Sequence, residues 1–201
     1  MSEQNLLWLA RMIGLVGLGL LILSSIGGVV MSSKVTAQVG RRFARLKGKF
    51  IFVNHRRLSL IGASLFLLHP IPMLFAPHTT GGLNLQSVLV PFTATRQTLF
   101  TGLGTLAFYT LLIVTVSSLC IKRMKFKNWR VLHYGTYLLL ALGLTHGLFI
   151  SAEYKAGELF EPEEPEKIIL LIMAGVVLLF PTWRVIAARR HNARKLLKTS
   201  S

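Results

Sequence analysis

Five apolar stretches constrain this chain more than any other feature: Leu6–Met31, Leu58–Phe75, Leu99–Ile121, Val131–Ile150 and Ile168–Ala188. Each is close to or above the ~20 residues that cross the hydrocarbon of a bilayer as a helix. None shows the period-two alternation of a barrel strand, and all are too long for one, so helices are the spanning form. Only 15% of the 201 residues are charged and the mean hydropathy is +0.58, which leaves too little polar surface for a soluble domain of this size. The expected fold is all-α: a polytopic membrane bundle of about five transmembrane helices.

The net charge of +16 raises nucleic-acid binding as an alternative, but the distribution of charge argues against it. Lys34, Arg41, Arg42, Arg45, Lys47, Lys49, Arg56 and Arg57 lie between the first two stretches with no acid among them. Lys122, Arg123, Lys125, Lys127 and Arg130 separate the third from the fourth, again with no acid. The tail is basic as well. Residues 76–98 hold Arg96 as their one charge, and residues 151–167 hold six glutamates and two lysines. Basic connections thus alternate with neutral or acidic ones, as the positive-inside rule requires. The N-terminus is expected outside and the C-terminus in the cytoplasm, in a bacterial inner membrane whose anionic lipid contacts the basic face.

The first stretch is too long for the apolar region of a signal peptide, and a basic run follows it rather than a small-residue cleavage site, so it reads as a retained helix. Residues 1–57 then form that helix with a basic cytoplasmic loop, 58–188 a helix bundle, and 189–201 a basic tail. Within the loop, Val39, Phe43, Leu46 and Phe50 recur at the spacing of an amphipathic interfacial helix. The Gly-x-x-Gly-x-Gly run at Gly14–Gly19 lies inside an apolar helix and reads as close helix packing, not as a phosphate cradle. Cys120 alone supports neither a disulfide nor a cysteine metal site.

Chemistry concentrates in the histidines. His55 and His69 fall at the start of and within the second helix, His133 and His146 at the start of and within the fourth, while His78 and His191 fall in a loop and in the tail. Ionisable side chains are costly in a membrane and usually mark a function. Intervals of 14 and 13 residues span roughly 20 Å of helix. With both helices running outward, His55 and His133 lie near the inner surface, and His69 and His146 toward the outer one. That layout suits two stacked haems, each taking one imidazole from each helix, six-coordinate and disposed to electron transfer. Helical angles support the pairs unequally. Fourteen residues return to within about 40° of one face, but thirteen end about 140° away, so the fourth helix needs a π-bulge or kink to aim both rings at one partner. A membrane histidine can instead hydrogen-bond a neighbouring helix, and His55 borders the basic run, so one haem or two remain open.

Two segments carry a resemblance to a known family: HRRLSLIGASLFLLH (55–69) and NWRVLHYGTYLLLALGLTHGLF (128–149). The first resembles the Arg-Arg-x-Leu…Leu-His helix entry of the ferric-reductase-like transmembrane family, and the second its Trp…Leu-His…Tyr…His helix, 13-residue interval included. TRQTLFTGLG (95–104) resembles the start of the intervening helix. Within that family the size is similar to that of the haem-binding membrane subunit of the bacterial methionine sulfoxide reductase system. That subunit usually has two helices before the Arg-Arg helix and an arginine where this chain has His55; Ser59 also replaces its glycine. The 14-residue interval from His55 to His69 instead resembles the NADPH oxidases.

The resemblance implies b-type haem with His69, His146, His133 and His55 as axial ligands to iron, and it allows FMN as a second cofactor. It also implies a cytoplasmic flavin reductase as donor and a periplasmic enzyme as acceptor. Haem propionates are anions and seek cations; Arg57 and Arg130, with Arg56, are placed for an inner haem or serve as positive-inside signals, and Arg96 is placed for an outer haem. Tyr137 is expected to pack on a haem, Trp129 either to do the same or to anchor the helix at the interface, and Gly62 and Gly143 either to admit the macrocycle or to pack helices. The function expected is transmembrane electron transfer as the cytochrome b-like subunit of an oxidoreductase. A quinol-linked cytochrome b subunit and a ferric reductase are the nearest alternatives, a non-redox scaffold or transporter a remoter one.

Overall fold

The computed structural model of the chain describes residues 3–32, 41–76, 83–150 and 165–179, together with 182 and 186. These residues form helices and connecting turns, with no strand among them. In chain order the helices are α1 (Glu3–Ser32), α2 (Arg41–Leu68), α3 (Ile71–Phe75), α4 (Leu85–Leu89), α5 (Thr98–Leu119), α6 (Phe126–His133), α7 (Gly135–Phe149) and α8 (165–179). A single 3-10 turn, Ile121–Arg123, joins α5 to α6.

Among the described residues, three helical segments, Asn5–Met31, Gly48–Phe75 and Thr98–Leu119, are long and apolar enough to cross a membrane. The fourth expected span, 131–150, is divided at Tyr134 into α6 and the 15-residue α7. The fifth, 168–188, is described continuously only to residue 179, and His78 and His191 lie outside the described residues.

The helix after the basic run differs from expectation in its start. It does not begin near residue 58. α2 starts at Arg41 and passes through position 57 without a break, so His55 stands well inside it. Its end is set by proline. Pro70 disfavours helical backbone at the residue before it and lacks the N–H to continue the ladder. The His69 N–H still reaches the Leu65 carbonyl at 2.9 Å, closing the last turn.

α1 lies along α2, and α5 along α7. The α1–α2 approach is close because Gly17 and Gly62 face each other. A Cβ on Gly62 would stand 3.0 Å from the Gly17 carbonyl oxygen, and one on Gly17 would stand 3.1 Å from the Phe66 backbone nitrogen. Small residues permit such contact, and van der Waals packing is the main attraction between helices in lipid. Gly62 thus serves helix packing; Gly143, by contrast, faces Leu18 and the Phe66 ring.

The core joins Leu18, Leu21 and Ile22 of α1, Phe66 of α2, Ala107 and Leu111 of α5, Leu139, Leu140 and Leu144 of α7, and Leu170 of α8. Outward positions are equally apolar: Trp8, Leu23, Ile61, Ile113, Val116 and Leu178 are all exposed. A surface of this kind belongs against acyl chains rather than water. Hydroxyls in the helices are satisfied locally. Thr105, Thr110 and Thr145 donate to the carbonyls of Thr101, Leu106 and Ala141, one turn back, as hydrocarbon requires of polar groups.

Candidate functional site

The bundle brings the four helix-borne histidines together as two pairs. His69, the residue that follows α2, meets His146 of α7 with ring centres 6.1 Å apart and planes at 78°. His55 of α2 meets His133, the last residue of α6, at 6.2 Å and 79°. The 13-residue interval does not prevent this, because the helix is interrupted between its two histidines. The Tyr134 N–H is shared between the carbonyls of Arg130 and Val131, the Tyr137 N–H turns back only three residues to Tyr134, and Thr136 Oγ1 donates to the His133 carbonyl. Those bonds mark the break between α6, which ends at His133, and α7, which begins at Gly135.

Each ring is held from behind by a helix other than its own, α1 for His69 and His55 and α5 for His146 and His133. His69 Nδ1 lies 2.6 Å from the Ala10 carbonyl oxygen of α1, and His146 Nδ1 lies 2.8 Å from the Phe100 carbonyl oxygen of α5. His55 Nδ1 lies 2.9 Å from the Ser24 carbonyl oxygen and 2.8 Å from Ser24 Oγ. Ser24 Oγ also reaches the His55 carbonyl and Ser59 Oγ. A carbonyl only accepts, so Nδ1 carries the proton in these three rings, and Nε2 keeps the free lone pair. His133 is held otherwise. Its Nδ1 is 3.4 Å from Ser118 Oγ, and its ring stacks on Trp129 at 4.9 Å.

A cavity of about 460 Å³ opens beside His69 and His146. Its walls include Leu18, Phe66, Phe108, Gly143 and Leu170, and charged residues gather among its lining: Arg11, Arg96, Glu166 and Lys167. Arg11 Nη1 donates to Glu166 Oε1 at 2.8 Å. Lys167 is 1% exposed, and its Nζ donates to the Leu148 and Ile150 carbonyls at 2.5 and 2.8 Å. The lining is apolar with an excess of positive charge, three cations against one carboxylate.

The family model for the ferric reductase like transmembrane component matches residues 13–144, about two thirds of the chain. The chain belongs to the ferric-reductase-like transmembrane family. No curated protein and no solved structure gives a significant match. Membership in the ferric-reductase-like family points to transmembrane electron transfer, and members of that family commonly bind haem.

The residues present fit such a group. Two imidazoles that bind one metal from opposite sides, each nitrogen at about 2.0 Å, stand with ring centres roughly 6 Å apart; both pairs have that separation. A bare ion would need more protein ligands, and among the described residues no cluster of three or more His, Cys, Asp or Glu is placed to hold one. Two nitrogens suffice where a macrocycle fills the remaining positions. The cavity beside His69 and His146 has apolar walls for a flat ring and cations for its carboxylates.

The other residues singled out from the sequence are distributed unevenly. Arg96 lines the cavity. Arg57 is exposed on α2, two residues beyond His55. Arg130 is also exposed; its Nε donates to the Tyr134 hydroxyl, and its guanidinium lies 5.6 Å from that ring's centre. Tyr137 packs toward Tyr134 and borders a small recess with Ile22, Val29 and Leu140, away from the large cavity. Sequence reasoning missed Arg11, Glu166 and Lys167. A lone arginine within the first apolar stretch was the available signal, since an intramembrane charge marks a site by default. Glu166 and Lys167 were hidden among the other charges of 151–167.

Proposed function

We propose that this chain carries electrons across the bacterial inner membrane through b-type haem, with His69 and His146 binding one haem and His55 and His133 a second. The observation that carries the reading is the pairing of imidazoles at 6.1 and 6.2 Å, with three of the four rings fixed through Nδ1 so that Nε2 is the nitrogen left to bind. When bound, haem would supply a one-electron couple, held by these histidines. The chain's part is to hold the imidazoles, exclude water and set the local charge. Arg96, with Arg11 and Lys167, neutralises the carboxylates at the His69–His146 end; Arg57 and Arg130 do so at the other. Along α2 the two sites are separated by about 20 Å, a large part of the ~30 Å hydrocarbon thickness.

Charge alternation along the chain supports the direction. The His55–His133 end faces the cytoplasm and receives electrons from a flavin reductase or quinol. The His69–His146 end faces outward and delivers them to an extracytoplasmic acceptor such as a periplasmic reductase. Protein purified from haem-replete cells is expected to show the reduced-minus-oxidised spectrum of low-spin b haem, and His69→Ala or His146→Ala to remove one of two haems by pyridine haemochrome assay. Wild-type protein without haem defeats the reading.

A further inference from the structure

The three histidines whose Nδ1 meets a backbone carbonyl share a feature on the opposing helix. The accepting residues are Ala10, Phe100 and Ser24. Four residues beyond each stands a glycine: Gly14, Gly104 and Gly28. In an α-helix every Cα–Cβ bond tilts toward the N-terminus, so a side chain at i+4 leans over the carbonyl of residue i. Glycine leaves that carbonyl open on its outer side. It can then accept a second hydrogen bond, from a ring, besides the one within the helix.

The space confirms how tightly this is used. A Cβ at Gly14 would stand 2.7 Å from His69 Nδ1 and 2.9 Å from its Cε1. At Gly104 the distances to His146 are 2.7 and 2.8 Å. At Gly28 the nearest atom is His55 Cε1, at 3.3 Å. The other two glycines of the Gly14–Gly19 run do different work, since Gly17 meets the α2 backbone and Gly19 faces Met173 of α8. Gly14 therefore accommodates an imidazole and not a helix.

We propose that Gly14 and Gly104, and more weakly Gly28, are positioning residues: notches in α1 and α5 that let an imidazole reach the carbonyl one turn back, fixing its tautomer and its plane. This rests on the haem reading above and adds to it. The ring–carbonyl hydrogen bond makes the imidazole a stronger donor to iron, so the notch sets both the orientation of the ligand and the reduction potential of the centre. His133, which leans on Ser118 and Trp129, lies outside this scheme.

The test uses the full-length, haem-loaded chain carrying Gly14→Ala, Gly104→Ala, Gly28→Ala or the control Gly175→Ala, where a Cβ meets nothing within 4 Å. Alanine is the better helix former, so the substitutions do not weaken α1 or α5 in themselves. Low-spin EPR anisotropy follows the angle between axial imidazole planes, and potentiometry reads each centre's midpoint. Gly14→Ala and Gly104→Ala should each change the EPR signal and midpoint of the His69–His146 centre, or empty it, while the other centre stays as it was. Gly28→Ala should produce a smaller change at the His55–His133 centre, and Gly175→Ala none. Unchanged EPR and midpoints in both Gly14→Ala and Gly104→Ala overturn the inference and leave the haem reading standing. If wild-type protein holds no haem, the haem reading falls, and ¹⁵N-histidine spectra of the same chain decide the notch. An Nδ1–H tautomer at His69 that Gly14→Ala disturbs supports it; a His69 indifferent to the substitution overturns it.

Discussion

Arg11 of α1 and Glu166, 155 residues later, form a 2.8 Å ion pair beside the cavity at His69 and His146, each side chain about four-fifths buried. The pair ties the first helix to α8 and is neutral as a unit, so Arg96 and Lys167 supply the net positive charge of the cavity lining. Reduction adds negative charge, so losing the carboxylate should favour it. Glu166→Gln should raise the midpoint of the His69–His146 centre by some tens of mV, equivalent to about 1 kcal/mol for a single charge at moderate distance and an effective dielectric near 20. Arg11→Met should lower it. Redox titration of both variants checks the opposed signs, and a shift of the same sign in both would refute the electrostatic assignment.

On the proposed haem reading, His55 decides whether the chain holds one haem or two. His55→Ala should drop the haemochrome stoichiometry from two to one and leave the spectrum of the His69–His146 centre unaltered. A stoichiometry unchanged by the substitution would return His55 to a helix-packing role through Ser24 and Ser59.

Lys167 is expected to act on stability as well as charge. Its ammonium caps the end of α7 by bonding the Leu148 and Ile150 carbonyls just beyond His146. Lys167→Met keeps much of the volume but removes both charge-assisted bonds. It should cost about 2–5 kcal/mol, at roughly 1.5–3 for each hydrogen bond to a charged group and less if water enters. The readouts are thermal unfolding in detergent and the rate of haem loss; a variant as stable as wild type would show that the cap is dispensable.

The loop carrying Arg96 is anchored by an aromatic wedge. Phe92 has a left-handed backbone, φ +64°, and its ring fills the space over Gly102, where a Cβ would collide with Phe92 Cδ1. Left-handed backbone at a bulky residue costs of order 1–3 kcal/mol and persists only where packing holds it. Gly102→Leu should expel the ring, free the loop and accelerate haem loss from the His69–His146 end severalfold. Stopped-flow transfer of haem to a scavenging apoprotein would measure it, and an unchanged rate would detach the loop from the site.

The apolar stretches and the four histidines were readable because each depends on local composition or on spacing along one helix. The interruption at Tyr134 was readable only as a need. Thirteen residues misalign two rings on an ideal helix, and nothing local named the residue that yields. The early start of α2 was obscured by its basic run, which reads as a loop although those residues form helix readily. Arg11, Glu166 and Lys167 escaped because their significance lies in partners distant in sequence. The glycine notches escaped because their meaning lies in a ring supplied by another helix.

The break at Tyr134 makes the two histidine-bearing arms mechanically unlike. α2 is a fixed ruler: inserting or deleting one residue between His55 and His69 turns one ring by about 100° and breaks one histidine pair. α6 and α7 behave as a sliding scale read against that ruler, since each half finds its own register on either side of the joint. Tolerance to length change should therefore be concentrated around residue 134 and nearly absent between 56 and 68.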